Sequence, residues 1–272
     1  MVDLETGADA GSIDADALHH ALLITIDGPA GTGKTTVAAS LARRLGLELL
    51  DTGAMYRAAA LIALESGIDP SDGPSLAKAV EAAHMHFQWG IERPRLLLGD
   101  RDVSDRIRDL DVTEIVSIVA SQPEVRRVLV AHQRRIAREH RRLVSEGRDQ
   151  GSVVFPDAAV RFYLDAPANV RASRRAAEYA AKGRPIDEEA VRADIDRRDR
   201  IDTSRLEAPL TCPEGAIVID TSQFDVREVV DELERHVRRL LPDLPGPGDA
   251  PGVHAADPTS SRLAGGGPAS GA

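Results

Sequence analysis

Apolar and polar positions follow two periods along this chain. Short apolar runs recur at 22–26, 47–50, 160–164 and 217–219, each bounded by Gly, Pro or Asp, and they read as buried strands. Residues 142–145 lead a further strand into Glu146-Gly147. Between these runs, apolar residues take helical spacing. The pattern predicts helices over 34–45 (stopped by Gly46), 54–66 (ended by Gly67), 73–83, 111–121, 124–140, 168–182 (broken by Gly183 and Pro185), 187–200 and 224–241. Strand alternating with helix implies a parallel sheet with right-handed crossovers, helices on both faces, and ligands at the carboxyl ends of the strands.

The pattern changes once. Residues 85–89 alternate, Pro94 precedes the run 96–103, and Gly99-Asp100 supplies a hairpin turn. This predicts a small antiparallel insert at about 80–112. His84 and His86 share that stretch, but with no third ligand type nearby they read as surface residues.

With 272 residues, 42% of them apolar, the chain holds enough core for one domain with an insert, or for two. Residues 1–18 are acidic and small and read as a disordered leader; from Pro242 to Ala272 the composition turns to Pro, Gly, Ala and Ser and reads as a disordered tail. The folded part is expected at 19–241. A net charge of −10 disfavours binding to nucleic acid or an anionic membrane. Lys34, Lys78 and Lys182 are the only lysines, so the position of each arginine says more than their number. A single cysteine, Cys212, allows no disulfide framework within the chain and fits a reducing cytosol. No apolar stretch reaches membrane-spanning length and no secretory pattern opens the chain, so the expectation is a cytoplasmic protein.

The first candidate site is Gly28-Pro29-Ala30-Gly31-Thr32-Gly33-Lys34-Thr35, followed by Thr36, which fits G-x-x-x-x-G-K-[ST] between a strand and a helix. The glycines let backbone N–H groups turn inward, and the following helix presents its positive end at the same spot. Lys34 would reach the β- and γ-phosphates of ATP, and the Thr35 hydroxyl would sit on Mg²⁺.

A phosphate cradle does not name a reaction. A GTPase needs Asn-Lys-x-Asp, and the single asparagine, Asn169, is followed by valine. No apolar strand ending in Asp-Glu marks a motor ATPase, so a small kinase remains. Its acceptor must be held opposite the γ-phosphate, with arginines to neutralise the migrating group. Asp51-Thr52-Gly53-Ala54-Met55-Tyr56-Arg57 follows a strand and opens a helix, with Arg57 one turn in, where it can fork onto an acceptor phosphate. Glu146-Gly147-Arg148-Asp149-Gln150-Gly151 suggests a tight turn aiming Arg148 and Asp149 into a cleft. Arg198, Asp202 and Arg205 share one helix face; the same spacing also fits an ion-pair stripe on a solvated helix.

Taken in order, the glycine loop, Leu50-Asp-Thr-Gly-Ala-Met-Tyr-Arg57, Gly147-Arg-Asp-Gln-Gly-Ser-Val-Val-Phe-Pro-Asp-Ala158, Arg198-Asp-Arg-Ile-Asp202-Thr-Ser-Arg205 and Ala208-Pro-Leu210 resemble bacterial cytidylate kinases over about 22–240. The resemblance implies the P-loop nucleoside monophosphate kinase fold: a five-stranded parallel sheet with helices on both faces, a small antiparallel insert for the monophosphate, and a helical lid at about 172–188. It implies transfer of the ATP γ-phosphate to CMP or dCMP, with Mg²⁺, by a monomer. By position, Thr52, Ser117, Arg126 and Asp149 would hold cytosine; Arg57, Arg148 and Arg205 the acceptor phosphate; and Tyr56, Arg198 and Asp202 the sugar. Arg174 and Arg175 would lie in the lid, and the expected catalytic set is Lys34, Arg57, Arg148, Arg174 and Arg205. Two residues depart from the pattern: Glu146 stands where Asp is expected and Gln150 where an apolar residue is expected, and neither is expected to touch substrate.

The acceptor is itself a largely ionised phosphate, so no strong general base is required. The other readings are a small kinase for UMP or AMP, shikimate being a further candidate acceptor, and a regulator that binds nucleotides without turnover.

Overall fold

The computed structural model describes residues 21–244, apart from 91, 92, 182, 184, 185 and 206. The expected leader lies outside the described residues, as does the expected tail beyond 244.

Strand β1 (Leu22–Asp27) is central in a five-stranded sheet, between β6 (Arg142–Glu146) and β7 (Val160–Asp165). Outside these lie β2 (Glu48–Asp51), beside β6, and β8 (Ile217–Asp220), beside β7, and every pairing is parallel. Neighbouring residues on one strand fall into different core clusters. Leu50 and Leu143 pack on one face of the sheet; Leu49 and Val144 pack on the other. Both faces are therefore covered, which is why the strands read as continuous apolar runs.

One face carries α1 (Lys34–Leu45) and α8 (Val226–Leu240), whose Val37, Leu41, Val229 and Leu233 are buried together. The other carries α2 (Thr52–Ser66), α3 (Gly73–Ala82), α4 (Leu110–Ser121) and α5 (Pro123–Glu139). Gly46 and Gly67 end α1 and α2 in the left-handed conformation, at φ 62° and 64°. A three-stranded antiparallel sheet, β3 (Met85–Gln88), β4 (Arg95–Leu98) and β5 (Arg101–Asp102), interrupts the α/β alternation, with Gly99-Asp100 turning β4 into β5. Helices α6 (Ala168–Ala181) and α7 (Glu188–Ser204) pack on each other through Ala172, Val191 and Ile195.

Local chemistry moves several boundaries. Asp51 caps α2 through the Ala54 N–H at 2.9 Å, so that helix starts at Thr52 instead of residue 54. Asp225 and Glu228 form a capping box, so α8 starts at Val226 and leaves Phe224 outside it. The turn after β6 is wider than expected: Gln150–Val154 forms one π-helical turn. Order also runs past the expected end at 241, because Leu244 is buried in the α1–α8 core.

Candidate functional site

Parallel register sets the site. Asp51 at the end of β2 pairs with Glu146 at the end of β6, which pairs with Ile26, one residue before Asp27. Three carboxylates thus stand in a row along the carboxyl edge of the sheet. The glycine loop folds over one end of the row. A Cβ on Gly28, at φ 144°, would lie 2.1 Å from the Leu164 carbonyl oxygen, so only glycine fits beside β7. Lys34 is buried, and its Nζ donates to the Pro29 carbonyl at 2.6 Å. Burial and the Arg148 guanidinium push the Lys34 ammonium down from its usual range; Glu146, Asp27 and Asp202 act against that.

The Thr35 hydroxyl donates to Glu146 Oε1 at 2.6 Å. Glu146, one of the two departures from the family pattern, therefore stands against the last residue of the loop motif. Burial, and then Asp51, raise the Glu146 carboxyl well above the carboxylate range, against the pull of Lys34. Asp27 accepts the Gln150 and Gly151 N–H groups at 2.8 and 2.7 Å, and burial lifts it to about 6 despite them.

Opposite the loop lies a cluster of cations. Burial pushes Arg57 down to about 9, and Arg198 and Arg175 add to the effect. Burial, then Arg148, push Arg198 down as well. Arg57 is held by the Thr113 hydroxyl at 2.8 Å, and Arg148 pairs with Asp202 at 3.2 Å. Arg198 Nε is buried without a hydrogen-bond partner. Crowded, desolvated guanidinia with an unused donor form a site for an anion.

A third group borders the cluster. Arg126 and Asp149, at 4% and 3% exposure, form a buried ion pair, and the Arg126 guanidinium lies over the Tyr56 ring, 5.5 Å from its centroid. The Tyr56 hydroxyl is buried beside Gln133, and burial raises it above the usual phenol range. Arg126 and Arg205 each donate to the Ala120 carbonyl at 3.4 Å, and Arg205 Nη2 has no partner.

A phosphate loop, a cluster of arginines and a buried Arg–Asp pair thus share one cleft. The sequence profile of the cytidylate kinase family matches residues 24–239. The chain belongs to the cytidylate kinase family. The cytidylate kinase of Mycolicibacterium paratuberculosis is 45% identical over 218 residues, covering 80% of this chain and 96% of that protein. That of Nocardia farcinica is 45% identical over 220 residues, covering 81% and 95%. That of Caldanaerobacter subterraneus is 42% identical over 216 residues, covering 79% and 94%.

In this cytidylate kinase family member, Lys34, Arg57, Arg148, Arg198 and Asp202 converge. Arg126, Asp149, Tyr56 and Arg205 gather beside them, so Tyr56 and Arg205 neighbour the Arg126–Asp149 pair. Thr52 spends its hydroxyl on the Glu146 carbonyl at 2.7 Å. Ser117 is buried on α4, and Thr36 is exposed. Arg174 lies elsewhere: its guanidinium donates to the hydroxyl and carbonyl of Thr221, just after β8. Its neighbour Arg175 acts on Arg57 and Arg198.

Sequence reasoning passed over Arg171. Nearly buried on α6, it donates to the Ala30 carbonyl at 2.9 Å and to Asp199 at 2.6 Å, tying the glycine loop to α7. It also passed over Arg108, which follows β5 and reaches Asp51 at 3.2 Å. Nothing in the local pattern marks either residue, because both contacts join elements distant in sequence.

Proposed function

We propose that this protein transfers the γ-phosphoryl group of ATP to CMP and dCMP, forming CDP and dCDP by in-line displacement. The observation that carries this is the buried Arg126–Asp149 pair beside the Arg57–Arg148–Arg175–Arg198 cluster, a base reader joined to an anion site. Cytosine offers an exocyclic amine beside ring acceptors. A carboxylate takes the amine and a guanidinium serves the acceptors. Uracil lacks the amine and would leave the carboxylate's remaining acceptor position unfilled in a buried site.

The glycine loop and Lys34 bind the donor's phosphates. Arg57, Arg148 and Arg198 hold the acceptor phosphate, and Arg175 neutralises charge on the migrating group. Asp202, fixed by Arg148, accepts from sugar hydroxyls. Helices α6 and α7 act as the lid, and the antiparallel insert closes on the monophosphate. Their closure excludes water and limits wasteful hydrolysis.

Mg²⁺ fits the chain's own donors: the Thr35 hydroxyl and the Glu146 carboxylate are hard oxygen groups side by side next to Lys34. Bound there with ATP, it would supply charge neutralisation at the β- and γ-phosphates. The acidic charge and the lone cysteine support work in the cytoplasm, and the family resemblance supports a monomer.

A coupled assay across CMP, dCMP, UMP, AMP and shikimate tests the proposal. CDP formation from CMP well above UDP formation from UMP is expected; comparable rates on UMP would refute the cytosine assignment.

A further inference from the structure

Gln150, which stands where the family resemblance puts an apolar residue, has no exposed surface, and its side chain is tied on every side. Its carbonyl oxygen accepts from the Ser145 hydroxyl at 2.8 Å. Its amide nitrogen donates to Asp149 Oδ1 at 3.3 Å and to Gln133 Oε1 at 3.4 Å. The backbone beneath is clamped by Asp27, which takes the N–H groups of Gln150 and Gly151. Gln133 is also fully buried and stands beside the Tyr56 hydroxyl.

We propose that Gln150 is a positioning residue for the base-reading carboxylate of Asp149, and so a determinant of cytosine specificity. The inference rests on the reading above, in which Asp149 meets the cytosine amine.

A carboxylate oxygen has two lone pairs, and an unbraced side chain turns about its last bond. Arg126 holds Oδ2 alone. The Gln150 amide takes one lone pair of Oδ1 and fixes the carboxylate plane, leaving the remaining lone pair for a ligand amine.

The neighbours make sense only with this amide. An apolar side chain at 150 would leave Gln133 Oε1 and the Ser145 hydroxyl buried without these bonds, a costly state. Ser145, Gln133 and Gln150 are therefore one unit. Gly147 makes room for it: a Cβ there would lie 2.8 and 2.9 Å from Gln150 Cγ and Nε2.

The test is steady-state kinetics on Gln150→Met and on the triple variant Ser145→Ala/Gln133→Leu/Gln150→Met, which removes the stranded partners along with the amide. Both are expected to raise KM for CMP by roughly three- to tenfold, about the worth of one ordinary hydrogen bond. The preference for CMP over UMP should fall by the same factor. KM for ATP and kcat should stay within about twofold. A merely structural amide predicts otherwise: the triple variant, with its partners no longer stranded, would recover the CMP constants, and that result overturns the proposal. Unchanged CMP constants and CMP-to-UMP ratio in folded Gln150→Met overturn it equally. Failure of the wild-type protein to form CDP would remove the functional reading and this inference together, whereas unchanged constants in the variants remove this inference alone.

Discussion

The Thr35 hydroxyl donates a 2.6 Å hydrogen bond to Glu146, joining the last residue of the phosphate-loop motif to the end of the neighbouring strand. The bond aims two oxygen groups at the place where the donor's phosphates and Mg²⁺ would meet. Glu146→Ala is expected to lower kcat/KM by about 10–100-fold and raise the Mg²⁺ concentration needed for half-maximal rate, the usual cost of losing a group that orients a metal site. Glu146→Asp, restoring the residue type expected from the family resemblance, should keep most activity. A Mg²⁺ titration of both variants checks this; an unshifted Mg²⁺ dependence in Glu146→Ala counts against the role.

Lys34 belongs to the glycine loop itself, and its ammonium donates to the loop's own oxygens, on Pro29 and Thr32. Lys34→Ala should therefore leave the fold intact while turnover drops by at least about 10²–10³-fold, the scale for removing one charge-stabilising donor. Circular dichroism and a CDP-formation assay on the same sample measure both halves. Full activity would refute the role given to this lysine.

Arg126 and Asp149 are both almost fully buried, and each is the other's counter-ion. Asp149→Ala leaves a guanidinium without its counter-ion in the interior, and should destabilise the protein by about 3–5 kcal/mol in urea unfolding. KM for CMP should rise more than KM for ATP. Wild-type stability in this variant would mean that the pair is solvated.

Burial, together with Arg135 and His86, lowers His132 from 6.5 to about 4. The unfolded chain therefore takes up this proton before the folded one does. Stability from this group is complete above pH 6.5 and is lost as pH falls toward 4. Urea midpoints between those limits should fall more steeply for the wild type than for His132→Gln. Parallel curves would show that His132 does not titrate as described.

The sequence alone determined the local features. Two hydrophobic periods marked the strands and helices, glycine and proline marked their ends, and Gly28 to Thr35 carried a phosphate loop in its required strand-to-helix setting. These follow from forces acting within a few residues. The ordered string of Asp51–Arg57 and Gly147–Ala158 motifs added the family. Tertiary structure decided what lies opposite what. Glu146 entered the site because parallel register sets β6 beside both β1 and β2. Arg175 rather than Arg174 turned toward Arg57 because adjacent residues on a helix point about 100° apart, and packing chose the face. Gln150 met Asp149, Ser145 and Gln133 only once a π-helical turn had folded it inward. Register, facing and buried hydrogen-bond partners depend on contacts between residues far apart in the chain, and no local pattern records them.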